Sequence, residues 1–162
     1  MKFEVLPVPD VVRNKLIYRS EDYAFNVDSR PETGITSLLV NNLQLEIDEN
    51  GQILYVWGYC PYQTWRRTDS VPSSFIQGIL LVHLETEIIP GVSNRLTEPG
   101  AWPIFVNPDI GWVCVGELDS SPTARSVEFA LNSVAVIEDG LLRALWLHPE
   151  NLPEQVKEFM TI

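Results

Sequence analysis

Hydrophobic and polar residues alternate most clearly where Leu43, Leu45 and Ile47 are separated by Gln44 and Glu46. A period of two predicts a strand with one face buried. Glu49-Asn50-Gly51-Gln52 interrupts the pattern, and Ile53-Leu54-Tyr55-Val56-Trp57 returns with β-branched and aromatic residues. Asn-Gly is the strongest short turn signal between two such runs, because a type I′ turn needs positive φ at both central residues. Residues 43–57 are therefore expected to form a hairpin. A second is expected over residues 132–146: Val134-Ala135-Val136-Ile137 leads into Glu138-Asp139-Gly140, and Leu141 to Leu147 returns. Phe129 and Leu131, alternating with Glu128 and Ala130, are read as a backward extension of its first strand.

The two hairpins align with an offset of 89 residues. Leu45 and Ile47 fall on Val134 and Val136, Glu49-Asn50-Gly51 on Glu138-Asp139-Gly140, and Trp57 on Trp146. Internal duplication into two similar halves is one reading of this alignment. Independent convergence on Gly turns between large hydrophobes is the competing reading.

Gln77 to Glu87 reads as a largely buried strand, and Ile104–Val106 with Trp112–Gly116 as a third hairpin. Phe3–Val8 and Leu16–Tyr18 are weaker strand signals, and Gly91 to Pro103 reads as a loop. Twelve prolines spread along the chain leave little room for helices, whose interiors tolerate proline at a cost of about 3 kcal/mol. One helix is expected at the C-terminus, with Asn151 as cap, Pro153 in the first turn, and Leu152, Val156, Phe159 and Met160 as an apolar stripe. A short helix over Val11–Leu16, capped by Asp10, is a weaker expectation. The fold class is mainly β: an antiparallel β-sandwich or barrel built from hairpins, one domain over residues 1–162, with one short C-terminal α-helix.

Composition narrows the function classes. Of 162 residues, 45% are hydrophobic and 20% charged, which excludes a disordered chain. Eleven basic against 22 acidic residues give a net charge of -11, which argues against a nucleic-acid partner. The second half carries most of that excess, a surface suited to steering a basic protein partner. No apolar run approaches the roughly 20 residues of a membrane helix, and the first residues lack a signal-peptide core. A cytoplasmic protein without membrane association is expected. Cys60 and Cys114 lie in apolar contexts and are read as buried thiols. The two histidines, His83 and His148, form no metal-ligand spacing, and no nucleotide-binding motif occurs. Neither metal nor cofactor is expected.

The densest candidate site is the segment Tyr59, Tyr62, Trp65, Arg66 and Arg67, since Trp, Tyr and Arg dominate interface hot spots and also stack on small ligands. Weak catalytic candidates are His83 with Glu85, as an acid/base pair two residues apart, and Cys60 as a nucleophile. Catalysis itself is left open. The favoured reading is a non-catalytic protein-binding or regulatory module of the immunity type. The alternative is a small-ligand protein or enzyme with its pocket at Tyr59–Arg67. A homodimer formed through exposed sheet edges is a third.

Overall fold

The computed structural model describes residues 1–9 and 14–159, with the side chain of Phe159 left aside. The short helix read over Val11–Leu16 falls largely outside these residues, as does Met160 of the terminal stripe. Among the described residues, fourteen strands follow one another: β1 (Lys2–Pro7), β2 (Leu16–Arg19), β3 (Ala24–Val27), β4 (Thr36–Val40), β5 (Leu43–Ile47), β6 (Ile53–Tyr59), β7 (Arg66–Arg67), β8 (Ile76–His83), β9 (Asn94–Thr97), β10 (Ile104–Asn107), β11 (Trp112–Gly116), β12 (Arg125–Ala130), β13 (Ser133–Glu138) and β14 (Leu141–Leu147). A 3-10 turn covers Tyr62–Thr64, and one short helix, α1, covers Glu154–Phe159.

The strands form a β-sandwich of two open sheets. One runs β1-β8-β12-β13-β14-β11-β10-β7 and the other β2-β3-β6-β5-β4-β9. A hydrophobic core draws on both, with Leu38, Leu45 and Ile53 from the second sheet and Leu80, Val127 and Leu145 from the first. Hairpins account for most of the pairing, as expected. The antiparallel expectation needs one correction: β7 on β10, β8 on β12 and β9 on β4 are parallel. Such pairs are usually made through helical crossovers, but here other strands lie between the paired ones in the chain, as β8 and β9 do between β7 and β10.

Both predicted hairpins form, with different turns. Asp48 and Gln52 bracket a three-residue loop: Gly51 N donates to Asp48 O at 3.1 Å, and Asp48 Oδ1 accepts from the backbone of Asn50 and Gln52. Gly51 is at φ 83° while Asn50 is not at positive φ. This is a turn followed by a glycine in the left-handed region, not the type I′ turn expected from Asn-Gly. Asp139 (φ 53°) and Gly140 (φ 74°) do form the two-residue turn with both centres at positive φ.

The extra residue changes the alignment of the two halves. Leu45 pairs with Val56, and Ala135 with Leu145. Each returning strand bulges at the same place, Leu54 in β6 and Arg143 in β14. The positional counterparts of Leu45 and Ile47 are therefore Ala135 and Ile137, which share the inter-sheet core with them. Val134 and Val136, aligned with them in the sequence, lie in a second cluster with Cys114, Ala144 and Trp146. A one-residue slip moves every side chain of a strand to the other face. The second strand keeps its alignment, and Trp57 and Trp146 face Gln44 and Val134.

The correspondence extends beyond the hairpins. Leu16 pairs with Val27 in β2–β3, and Ile104 with Val115 in β10–β11. Both four-residue turns end on positive φ, at Tyr23 and Gly111. Asp28 N bonds Lys15 O, as Gly116 N bonds Pro103 O. The strand orders β2-β3-β6-β5-β4 and β10-β11-β14-β13-β12 are the same. After β6 the chain crosses to lie parallel to β10, and after β14 Glu150 lies parallel to Ile17 of β2. Each five-stranded unit thus lends its continuation to the other.

Three local expectations are corrected. Phe129 and Ala130 belong to β12, which turns back at Leu131-Asn132 with Asn132 at φ 62°, so no single strand runs from 129 to 137. The loop read over 91–103 contains β9. Asn151, at φ 63°, turns the chain three residues before α1 and so does not cap it. Of the terminal stripe, Val156 is buried and Leu152 packs against the core; the Phe159 side chain and Met160 lie outside the described residues.

Candidate functional site

The aromatic and basic segment after β6 divides into an inner and an outer set. Trp65 is 5% exposed and packs on Tyr18 at 5.1 Å and Phe25 at 6.0 Å. Tyr18 in turn donates its hydroxyl to Cys60 O at 2.8 Å, which ties β2 to the end of β6. Tyr62 is half-buried, between Tyr23 and Trp65. Trp65 and Tyr62 are thus committed to packing. Tyr59, 51% exposed, and Arg66 turn outward, while Arg67 approaches Asp69 at 4.0 Å.

Tyr59 and Arg66 line a cleft of about 330 Å³ with Asn42, Leu43, Trp102 and Ile104. Cys60, Pro61 and Thr64 also line it. The opposite wall is held by Asn41, a buried residue at φ 55° in the two-residue turn between β4 and β5. Its side-chain amide donates to Trp102 O at 2.9 Å and accepts from Trp102 N at 3.1 Å and the Thr97 hydroxyl at 3.0 Å. Its own N–H donates to the Thr97 hydroxyl at 2.7 Å, and its carbonyl accepts from Arg95 Nη1 at 2.7 Å. A buried polar group hydrogen-bonded through both its amide nitrogen and its amide oxygen fixes one arrangement of the loop it holds. Trp102 also needs Gly116, where an added Cβ would lie 3.0 Å from Trp102 Cε3 and 2.5 Å from Arg143 O.

The electrostatics are simple. Among the described residues, no ion pair or hydrogen bond occupies the Arg66 guanidinium. In a chain of net charge -11 this places an unpaired cation beside an indole, a phenol and aliphatic side chains. The Cys60 thiol is 2% exposed, and burial pushes its pKa up to about 12, with the Trp65 indole N–H offsetting part of the rise. It is a protonated core thiol at neutral pH, the opposite of the lowered pKa that activates a cysteine. Cys114 is likewise buried and pushed up to about 12.

The remaining catalytic candidates lie elsewhere. His83 ends β8, in the other sheet from Tyr59. Its Nε2 meets Glu4 Oε1 of β1 at 2.8 Å, so its carboxylate partner is cross-strand and not Glu85, which follows the strand in an exposed segment. Sequence reasoning missed Asn41, Asn42 and Trp102. The Asn-Asn pair between two hydrophobic runs is a turn signal, but nothing local shows that Trp102, some sixty residues on, docks against it. At the position of Tyr59 the second unit carries His148, which stacks on Trp112 at 4.8 Å.

No protein-family model matches this chain, and no curated protein matches it.

Proposed function

We propose that this chain is a non-catalytic recognition module that binds a protein partner through the Tyr59–Arg66–Trp102 cleft. The observation that carries the reading is the unpaired, exposed Arg66 on the wall of a cleft whose opposite side is held by the Asn41 network. Rigid aromatic groups and an arginine around a small concavity are the composition of interface anchors. The acidic surface adds long-range attraction for a basic partner, at rates that fall with salt. Two reduced thiols in the core accord with a cytoplasmic setting.

The same reading takes residues 1–162 as one domain that arose by internal duplication. It is supported by the shared strand order and turn geometry of the two units. The cleft then lies where the copies have diverged: an exposed Tyr59 in one, a stacked Trp112–His148 pair in the other.

A small-molecule ligand is the second reading, favoured by a volume of about 330 Å³, at the lower end of ligand sites. Cross-linking in the native host separates the two. Partners recovered with the wild-type chain should be lost from Tyr59→Ala and Arg66→Ala. Identical recoveries from wild type and both variants would remove the protein-binding reading. A melting temperature raised by a metabolite in wild type alone would favour the small ligand.

A further inference from the structure

The cleft's dimensions and the one cation among its described lining residues restrict what it can hold, given the protein-recognition reading on which this step rests. A volume of about 330 Å³ admits one or two residues and no folded element. Leu43, Trp102 and Ile104 give it apolar lining, and Asn42 and Arg66, both exposed, add polar donors to that lining. Arg66 pairs best with a carboxylate, whose two oxygens match the guanidinium fork. Yet a protein of net charge -11 repels acidic partners at distance. The two demands meet in one chemical group. A basic protein, drawn in by the acidic surface, still ends in a carboxylate, and a chain end is the part of a protein narrow enough to enter. We infer that the cleft captures the C-terminal residue of a basic partner. The terminal carboxylate lies on Arg66, the terminal aliphatic side chain lies between Trp102 and Ile104, and the preceding amide is within reach of Asn42.

The probe is a fluorescein-labelled peptide, Lys-Lys-Ala-Leu, made both as the free acid and as the C-terminal amide and titrated against the intact protein by fluorescence polarisation. Wild type should bind the acid about tenfold or more tightly than the amide, the scale of one charge-assisted hydrogen-bonded pair. Arg66→Gln should abolish that preference. Arg30→Gln removes the same charge at Trp57, outside the cleft, and should keep it. Trp102→Ala should weaken both peptides. Circular dichroism on each variant separates loss of binding from loss of fold.

Equal binding of acid and amide, both weakened by Arg66→Gln, overturns terminal capture and leaves the recognition reading standing. Terminal capture is likewise overturned if neither peptide binds while host cross-links still depend on Arg66. If neither peptide binds and the cross-links ignore both Tyr59 and Arg66, both readings fall.

Discussion

Phe3 and Val82 face each other across the β1–β8 ribbon, and each donates its N–H away from the other. Phe3 N reaches Gly140 O and Val82 N reaches Gly51 O, both at 2.8 Å. In an antiparallel pair of the non-hydrogen-bonded kind the N–H groups point outward, and here each finds the glycine of one hairpin turn. The two turns that stand out in the sequence thus clasp one ribbon from opposite sides, one on each strand.

That clasp makes the two glycines unequal. Both lie at positive φ, where an L side chain costs about 1–2 kcal/mol. A Cβ at Gly51 would also lie 2.5 Å from Val82 O, a backbone atom, whereas at Gly140 the nearest atom is the Lys2 Cδ at 3.2 Å, on a flexible side chain. Gly51→Ala should therefore destabilise the protein by at least about 1 kcal/mol more than Gly140→Ala, since overpacking typically adds 1–3 kcal/mol. Urea unfolding of the two variants measures the difference, and equal midpoints would mean that the β8 contact yields freely.

Burial of the two thiols gives an alkaline limit to stability. An unfolded thiol titrates near 9, while Cys60 and Cys114 in the fold are pushed up to about 12. Below pH 9 both states are protonated and the full stability is present. Above it the unfolded chain loses protons first, so stability falls as pH rises toward 12. The loss is about 1.4 kcal/mol per thiol for each pH unit. Burial also raises Tyr18, with the same sign. Unfolding free energies at pH 8 and pH 10 should show the drop, and the double variant Cys60→Ala/Cys114→Ala should flatten it. Neither thiol should react with a disulfide reagent until the protein unfolds.

What could be read from the sequence was local, and what could not was relational. Alternation in 43–47 and the glycine turns at 51 and 140 identify both hairpins, because those patterns act within a few residues. The face presented by Val134 depends on whether a turn has two residues or three, which Asp48 decides by bonding the backbone of Asn50 and Gln52. Trp65 resembles a binding residue by composition, yet Tyr18 and Phe25, forty or more positions earlier, make it core. His83 has Glu85 nearby in sequence but Glu4 nearby in space. The cleft follows from Asn41 holding Trp102, which no window of the sequence contains.

The carboxyl of Glu138 has a distinct acid signature. It accepts hydrogen bonds from the Ser121 and Thr123 hydroxyls and meets Arg143 Nε at 3.5 Å. The Ser121 hydroxyl first, then Thr123 and Arg143, hold it below the ordinary carboxylate range. Its contribution to stability is present above the unfolded value near 4.5 and is lost as pH falls through the lower, folded value. An NMR titration should place the Glu138 midpoint below those of solvent-exposed glutamates. Ser121→Ala should raise it, and Arg143→Gln should raise it less. An unmoved midpoint in Ser121→Ala would assign the depression to another group.

Asn41 carries two loads that substitution can separate. One is conformational, φ 55° in the β4–β5 turn, which asparagine and glycine tolerate better than other residues. The other is the pair of amide contacts to Trp102. Asn41→Ala loses both, and at about 1 kcal/mol per hydrogen bond plus the backbone cost it should destabilise by about 2–4 kcal/mol. Asn41→Gly keeps the backbone geometry and loses only the side chain, so it should recover about 1 kcal/mol of that. In both variants the 97–102 loop loses its anchor. Amide exchange at Trp102, whose N–H is bonded to the Asn41 side chain, should then accelerate alike in the two proteins although their stabilities differ. Protection at Trp102 that instead tracks global stability would show the loop to be held by packing of the indole, with Asn41 serving only the turn.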